Sequence, residues 1–404
     1  MQRIHYKPAG IKDLLVRLRA LTSLMADLAY SSVLFNDPDI AEEVLAIEEE
    51  IDRLRNILRM NAMLAAHDAE DAEQLLGVLE VADATDRISD ALADIAALTI
   101  RKRIHPIFVQ ALSESEDRLV KVEVAEGAPL VGTSLREVYD AIGAAIDIIA
   151  VRRGKRWVLS PSTDFRFRPG DIIVAWGSEA GITLFRDMAG GESVEQALPA
   201  PDTEASEQLR QLRRVVLDLK DLSEIAVDLA YSAVLYNSKD IAEEVLKLEA
   251  QLDDLSMMFA DRVLEICPRD QPRAIAGLLQ IGVAAESIGD AARSIANVVL
   301  ELEPHPVLKL AIEESPDTVY RVTVKPGSAM DGKEIRELNL LDLAEATVSA
   351  IRRERRWFRN PSEDFRLQAG DVLIVSGTRE GEKIIRRLAS RPAKEVRKRA
   401  SQPG

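Results

Sequence analysis

From Ile11 to Asn36, apolar residues recur at helical spacing: Leu14, Leu18, Leu21, Met25 and Leu28. Residues three and four apart share one face of an α-helix, so this stretch predicts an amphipathic helix. Asp37-Pro38 then breaks and restarts the chain. Asp suits an N-cap, where its carboxylate accepts from free first-turn amides, and Pro at the next position loses no hydrogen bond. A second helix is predicted from about Pro38 to Ala66, with Ile40, Val44, Ile47, Ile51, Leu54 and Leu58 on one face. A third starts near Ala69, carries Leu75, Leu79, Ile88 and Ile95, and reaches Arg101. Three long amphipathic helices with short connections predict an antiparallel three-helix bundle.

The pattern changes at His105-Pro106. After a short apolar piece, Leu119 to Val124 alternates like a strand, and Leu135 to Tyr139 reads as a short helix. Ile146 to Val151, Arg156 to Leu159 and Asp171 to Trp176 are β-rich, and Glu179 to Met188 closes with a helix. This is a small α+β unit. Ala189 to Ala205 is rich in Gly, Pro, Ala and acids and reads as a linker.

The whole pattern then repeats. Asp27 to Leu45 and Asp228 to Leu246 are identical at 15 of 19 positions. His105-Pro106, Trp157, Asp164-Phe165-Arg166 and Gly170-Asp171 all recur 200 residues later, while the opening helices recur at 201. The expected architecture is multidomain α and α+β, a tandem duplication. Its parts are a bundle over 1–112, a small domain over 113–190, a linker over 191–208, a bundle over 209–312, a small domain over 313–390 and a basic tail over 391–404.

The chain has 404 residues, a formal charge of −16 and 30% charged residues, a balance that argues against general nucleic-acid binding. A lone cysteine, Cys267, cannot form an intramolecular disulfide, which suits a reducing cytoplasm. MQRIHYKPAG has no apolar signal region, and no uninterrupted apolar run approaches the ~20 residues of a membrane span. The best candidate, Ala141 to Val151, is short and contains Asp147. The expected location is therefore cytoplasmic, at most peripheral to a membrane; the tail suits anionic headgroups, a partner or plain solvent. No Ser/His/Asp or Cys/His constellation, P-loop or G-x-G-x-x-G after a strand is visible. The expectation is no enzyme, and no NAD or ATP. His105 and His305 precede Pro at a domain junction and read as helix-end caps.

Carboxylates offer the first candidate chemistry. Glu224 and Asp228 lie four apart on the first helix of the second bundle, and Glu286 and Asp290 lie four apart on its third. Each pair shares a helix face and can present two carboxylates to one ion. Both fall opposite the core stripe, beside Leu217, Tyr231 and Leu235 on one helix and Leu279, Val283 and Asn297 on the other. That predicts an inter-bundle surface holding cations; the plainer alternative is solvated or salt-bridged residues, with Arg87 and Arg293 as partners. Clustered carboxylates without His or Cys suit Mg, Mn, Fe or Zn.

Ala285-Glu286-Ser287-Ile288-Gly289-Asp290-Ala291 resembles the E-R-I-G-D-H-A signature of PhoU, the phosphate-signalling regulator. The resemblance implies paired three-helix bundles and metal clusters on E/D-x-x-x-D motifs. Here it carries over to Glu224, Asp228, Glu286 and Asp290, and in part to Asp27, Asp86 and Asp90. Ala291 and Ala91 replace the family's His, and Ser23 replaces an acid, so the second bundle is expected to be the better metal site.

A cationic hairpin bearing Trp stands out in each small domain: Arg152, Arg153 and Arg156 in the first, and Arg352, Arg353, Arg356 and Asn360 in the second. Guanidinium forks suit a small anionic ligand; the alternative is pairing with nearby acids such as Asp164 and Asp364. With the Gly-containing loops Val131-Gly132-Thr133 and Met330-Asp331-Gly332, and strands ending at Gly177 and Gly377, these units resemble the C-terminal RCK domain, TrkA-C. The resemblance covers about Leu119 to Met188 and Val319 to Leu388. It implies dimerising domains that regulate potassium channels and other cation transporters, some binding cyclic di-AMP. The expected function is a cytoplasmic, non-catalytic regulator of a membrane cation channel or transporter, with homodimerisation or pairing of the small domains within the chain. The alternative is a PhoU-type metal-binding regulator of phosphate transport.

Overall fold

The computed structural model describes residues 10–113, 118–142, 146–154, 156–190, 207–267, 272–302, 317–359 and 361–392. The linker over 191–206, His305-Pro306, Asn360 and residues 393–404 of the tail lie outside the described residues.

The first bundle consists of α1 (Ile11–Leu34), α2 (Pro38–Ala65) and α3 (Ala69–Ile100). The restart at Asp37 works as the sequence predicts: its carboxylate accepts from the amides of Asp39 at 2.9 Å and Ile40 at 3.4 Å. The repeated Asn explains itself too. Asn36 (φ 45°) and Asn237 (φ 48°) both take the left-handed conformation that ends the first helix of each bundle. The apolar piece after His105 is a helix, α4 (Pro106–Ser113), too short for periodicity to reveal. Buried His105 caps it, Nδ1 accepting from the Ile107 amide at 3.2 Å, and burial lowers the His105 pKa, which favours the neutral ring this bond needs.

The first small domain follows: β1 (Arg118–Glu123), α5 (Leu135–Ile142), β2 (Ile146–Arg153), β3 (Arg156–Leu159), β4 (Ile172–Gly177) and α6 (Glu179–Ala189). The second bundle is α7 (Glu207–Tyr236), α8 (Lys239–Ile266) and α9 (Pro272–Glu301). The second small domain comprises β5 (Asp317–Thr323), α10 (Ile335–Leu338), α11 (Leu340–Ala344), β6 (Thr347–Arg353), β7 (Arg356–Arg359), β8 (Val372–Thr378) and α12 (Arg379–Ser390). Asn339, at φ 44°, splits into two helices what is one helix in the first copy.

Both sheets are antiparallel and four-stranded, in the orders β1-β4-β2-β3 and β5-β8-β6-β7. Each carries a register shift at the same place, Ile148/Ala150 and Val348/Ala350. A bulge rotates the side chains that follow it to the other face. One face of each sheet covers its own small core, with Val120, Val122 and Ile173 in the first copy and Val322, Leu373 and Val375 in the second. The other face joins the bundles, through Ile149 and Val174 in the first and Val319, Trp357 and Ile374 in the second.

The two bundles share one continuous core. Tyr231 on α7 and Thr85 on α3 hydrogen-bond across them at 2.7 Å, both buried. At Gly277 a Cβ would lie 2.1 Å from the Arg103 carbonyl oxygen, so the chain leaving α3 can approach α9 only because that residue is glycine. The inter-bundle surface expected on α7 is therefore real. The one expected on the third helix is not: Val283, Glu286 and Asp290 are exposed. Among the described residues α9 is the one helix long and apolar enough for a membrane span, and half of that window is buried in the protein. Ala141 and Ile142 instead end α5, and Ile146 to Val151 belong to β2.

Candidate functional site

The hairpin arginines sort into two roles. Arg153 and Arg353 point into their own domains. Arg153 grips Asp171 through Nε at 2.7 Å and Nη2 at 2.6 Å, and donates to the Arg166 carbonyl at 2.9 Å. Arg353 does the same with Asp371, at 2.7 Å twice, and the Arg366 carbonyl at 2.8 Å. Asp171 and Asp371 are each only 1% exposed, so a forked pair is what makes their burial tolerable. The partners are thus not Asp164 and Asp364: Asp164 lies 3.8 Å from Arg136, and Asp364 accepts from Ser362 at 2.5 Å.

Arg152 and Arg352 point the other way, onto the second helix of the neighbouring bundle. Each lies over its hairpin Trp, at 5.6 Å from Trp157 and 5.9 Å from Trp357. Arg152 hydrogen-bonds Asp39, and beside it Lys121 reaches Asp37 at 2.5 Å. In the second half both cations converge on one carboxylate. Glu244, 0% exposed, accepts from Arg321 at 2.7 Å, Arg352 at 3.0 Å and Lys247 at 2.7 Å. Burial opposes its charge, but these bonds outweigh it and hold the carboxyl below its ordinary pKa. Arg156 and Arg356 are exposed at the hairpin ends, Arg356 stacking 4.8 Å from Phe358.

A third contact involves a residue that sequence reasoning missed, Arg359 on β7. Its Nη1 donates to Glu224 at 2.8 Å and its Nη2 to Asp228 at 3.3 Å, and Asp27 of the first bundle lies 4.0 Å away. Lys220 adds a bond to Glu224 at 3.0 Å. Three of the acids assigned to metal from the sequence, Glu224, Asp228 and Asp27, therefore do meet, around a guanidinium. Burial works against the charge on Arg359, but Glu224, Asp228 and Asp27 outweigh it and raise its pKa. Burial pushes Asp27 up to about 7, Arg359 opposing and Glu224 reinforcing.

With the folded pKa of Asp27 above its unfolded value, the native state holds the extra proton between about pH 4 and 7, and stability falls as pH rises through that window. Asp27→Asn is therefore expected to match wild type near pH 4 and to exceed it at pH 8 by about 2 kcal/mol, allowing for residual solvent contact. Thermal melts across that range check this; a pH-independent difference contradicts it.

The remaining metal candidates separate from these. Asp290 on α9 joins Glu249 and Asp253 of α8, with ligand oxygens all within 4.8 Å of one another. Burial, then Glu249, Asp290 and Glu286, raise the Asp253 pKa. Arg293 binds Glu249 at 2.7 Å on one side. A set of carboxylate oxygens whose negative charges crowd one another fits a hard or borderline divalent ion. In the first bundle the same positions are Glu48, Asp52, Asp86 and Asp90, but Arg55 pairs with Asp52 at 3.1 Å and with Asp86. Ser256 stands in its place in the second. The acids on the second helix were legible: Glu48-x-x-x-Asp52 and Glu249-x-x-x-Asp253 recur at the 201-residue offset. Arg87 pairs with Glu80 at 3.4 Å and Ser294 at 2.8 Å.

Three-helix bundles alternating with small four-stranded antiparallel α+β domains define a multidomain α and α+β architecture. Residues 15–99 and 216–299 match the PhoU domain, and residues 119–190 and 319–389 match the TrkA-C domain. The chain thus carries two PhoU and two TrkA-C domains in alternation, and both are regulatory, non-catalytic domain families. It is 28% identical over 91 residues to the "Probable potassium channel protein 2" of Methanocaldococcus jannaschii, covering 22% of this chain and 26% of that protein. The chain thus spans about a quarter of that relative's length. Among solved structures, PhoU from Pseudomonas aeruginosa is 14% identical, with 72% of this chain and 93% of that one covered, at a TM-score of 0.40. The GsuK RCK domain is 14% identical, with 77% and 79% covered, at a TM-score of 0.17. At such scores these likenesses add nothing to the assignment, which rests on the domain matches.

Proposed function

We propose that this chain is a cytoplasmic, non-catalytic regulator of a membrane potassium channel or transporter, controlled by ligands that act where the small domains meet the bundles. The observation that carries this reading is Glu244, a fully buried carboxylate on the bundle held by Arg321 and Arg352 of a TrkA-C domain. The similarity to a potassium channel protein supports the choice of ion. An anionic ligand on the hairpin, taken by Arg352, Arg356 and Asn360 in the second domain or Arg152 and Arg156 in the first, competes with Glu244 or Asp39 for the same guanidinium. Binding then loosens the small domain from the bundle, which is the differential affinity that coupling requires.

Calorimetry with cyclic di-AMP tests the ligand half of this reading. Glu244→Ala frees Arg352 and is expected to tighten binding roughly tenfold, while Arg352→Ala with Arg356→Ala abolishes it. No heat with either wild type or Glu244→Ala would remove the anion from the account.

A second reading, a PhoU-type metal-binding regulator of phosphate transport, is favoured by one specific observation, the Glu249, Asp253 and Asp290 cluster. A divalent or iron-type ion there would be held by those three with Glu286 alongside. Elemental analysis of the purified chain is expected to find metal that Asp253→Asn with Asp290→Asn removes and that Asp86→Asn with Asp90→Asn leaves in place.

A further inference from the structure

The duplication provides an internal comparison at the joint. In the second half the space between α7 and its small domain is occupied by the side chain of Arg359, lying on Glu224 and Asp228. In the first half Leu159 stands where Arg359 does, and Ser23 where Glu224 does. Both members of the ion pair are missing together. Between α1 and the first small domain there is instead a cavity of about 510 Å³. Its α1 wall, including Arg19, Ser23 and Asp27, corresponds residue for residue to Lys220, Glu224 and Asp228 around Arg359.

The lining has a definite chemistry. Asp27, Asp147 and Asp228 contribute carboxylates and Arg19 a guanidinium, with Asp228 already held by Arg359. Asp147 accepts from the Tyr139 hydroxyl at 3.2 Å, which orients it. Leu24, Ile148 and Ile149 supply apolar wall. Asp27 lies at 4.0 Å from Arg359, beyond hydrogen-bond reach, so its carboxyl keeps capacity for another donor. Ser160, beside Leu159 on the rim, sits at φ 42°, a strained conformation for a side-chain-bearing residue. A bare metal ion needs six or so close oxygens, which a half-apolar wall does not give. A volume of this size with a few placed polar groups on an apolar wall suits a small organic molecule.

We propose that this cavity binds a small organic cation, an amine or guanidinium on a short hydrocarbon body. The cationic head takes Asp27 and Asp147, as Arg359 takes Glu224 and Asp228 in the other half, and the body lies on Leu24 and Ile148. The site is separate from both the hairpin arginines and the acidic cluster on α8 and α9. It places a soluble cation where the second half uses one of its own side chains, so occupancy fastens the first small domain to its bundle as Arg359 fastens the second.

Calorimetry on the full chain with agmatine and putrescine tests this. One agmatine is expected to bind per chain, with affinity falling roughly tenfold or more in Asp147→Asn, a lining residue at the exposed end of β2. Ser23→Glu with Leu159→Arg installs the second half's pair; it is expected to abolish agmatine binding and to melt no lower than wild type. The proposal is overturned if neither probe binds at millimolar concentration, or if binding is indifferent to Asp147→Asn. A Ser23→Glu/Leu159→Arg protein that folds and still binds agmatine as wild type does overturns it equally.

Discussion

Arg359→Leu lowers the stability of the folded chain by about 3–5 kcal/mol, the cost of stripping one partner from a buried ion pair. Glu224 is 5% exposed, and of its two oxygens only Oε2 has partners, Arg359 and Lys220; Oε1 is buried without one. Removing the guanidinium leaves that carboxylate with one ammonium, and leaves Asp228 and Asp27 facing each other without the charge between them. Glu224→Ser added to Arg359→Leu recovers most of the loss, because the pair then matches Ser23 and Leu159, which the first half accommodates. Urea unfolding of the two single variants and the double variant measures the coupling directly. A single-variant loss below about 1 kcal/mol would show that the network is not structural.

The second large effect is expected at Glu244. Glu244→Ala removes the acceptor shared by Arg321, Arg352 and Lys247 and costs about 2–4 kcal/mol. Arg321 keeps weaker neighbours in Glu243 at 3.5 Å and Asp240 at 3.8 Å, so its charge is not stranded. The consequence is local: the second small domain loosens from α8 while its own core, with Asp371 pinned by Arg353, stays intact. Hydrogen exchange is expected to quicken on the bundle-facing strands β5 and β6 and to stay unchanged in β1 and β2. Glu43 is the same position in the first bundle, but there Lys121 and Arg152 use Asp37 and Asp39. Glu43→Ala is therefore expected to change stability by less than about 0.5 kcal/mol. Equal effects at the two positions would contradict this assignment.

The difference between Glu43 and Glu244 shows why the helices and strands were legible and the joint was not. Periodicity reports which face of an element is apolar, and the long elements of the first half fell within a few residues of their expected bounds. The eight residues of α4 were too few for a period to show. Interdomain partners leave no local pattern. Arg359 and Glu224 are 135 residues apart, and the same hairpin arginine turns to a different acid in each copy, Arg152 to Asp39 and Arg352 to Glu244. Asp171 serves Arg153 where Asp164, closer in sequence, does not, because the Gly170-Asp171 turn brings Asp171 to the start of β4, next to β2 in the sheet. The acids of α8 are visible in the sequence as a repeat of Glu48-x-x-x-Asp52. That Asp290 meets Glu249 and Asp253 rather than Glu224 depends on how α8 and α9 pack, which spacing along one helix does not encode.

The proposed function makes this chain a regulator of potassium movement. Deleting its gene in the source organism and following rubidium and phosphate uptake in parallel tests it most directly. Altered rubidium flux is expected, restored by the wild-type chain but not by Arg352→Ala, with phosphate uptake unchanged. Altered phosphate uptake with rubidium flux untouched would contradict it and leave the metal-dependent phosphate reading in its place.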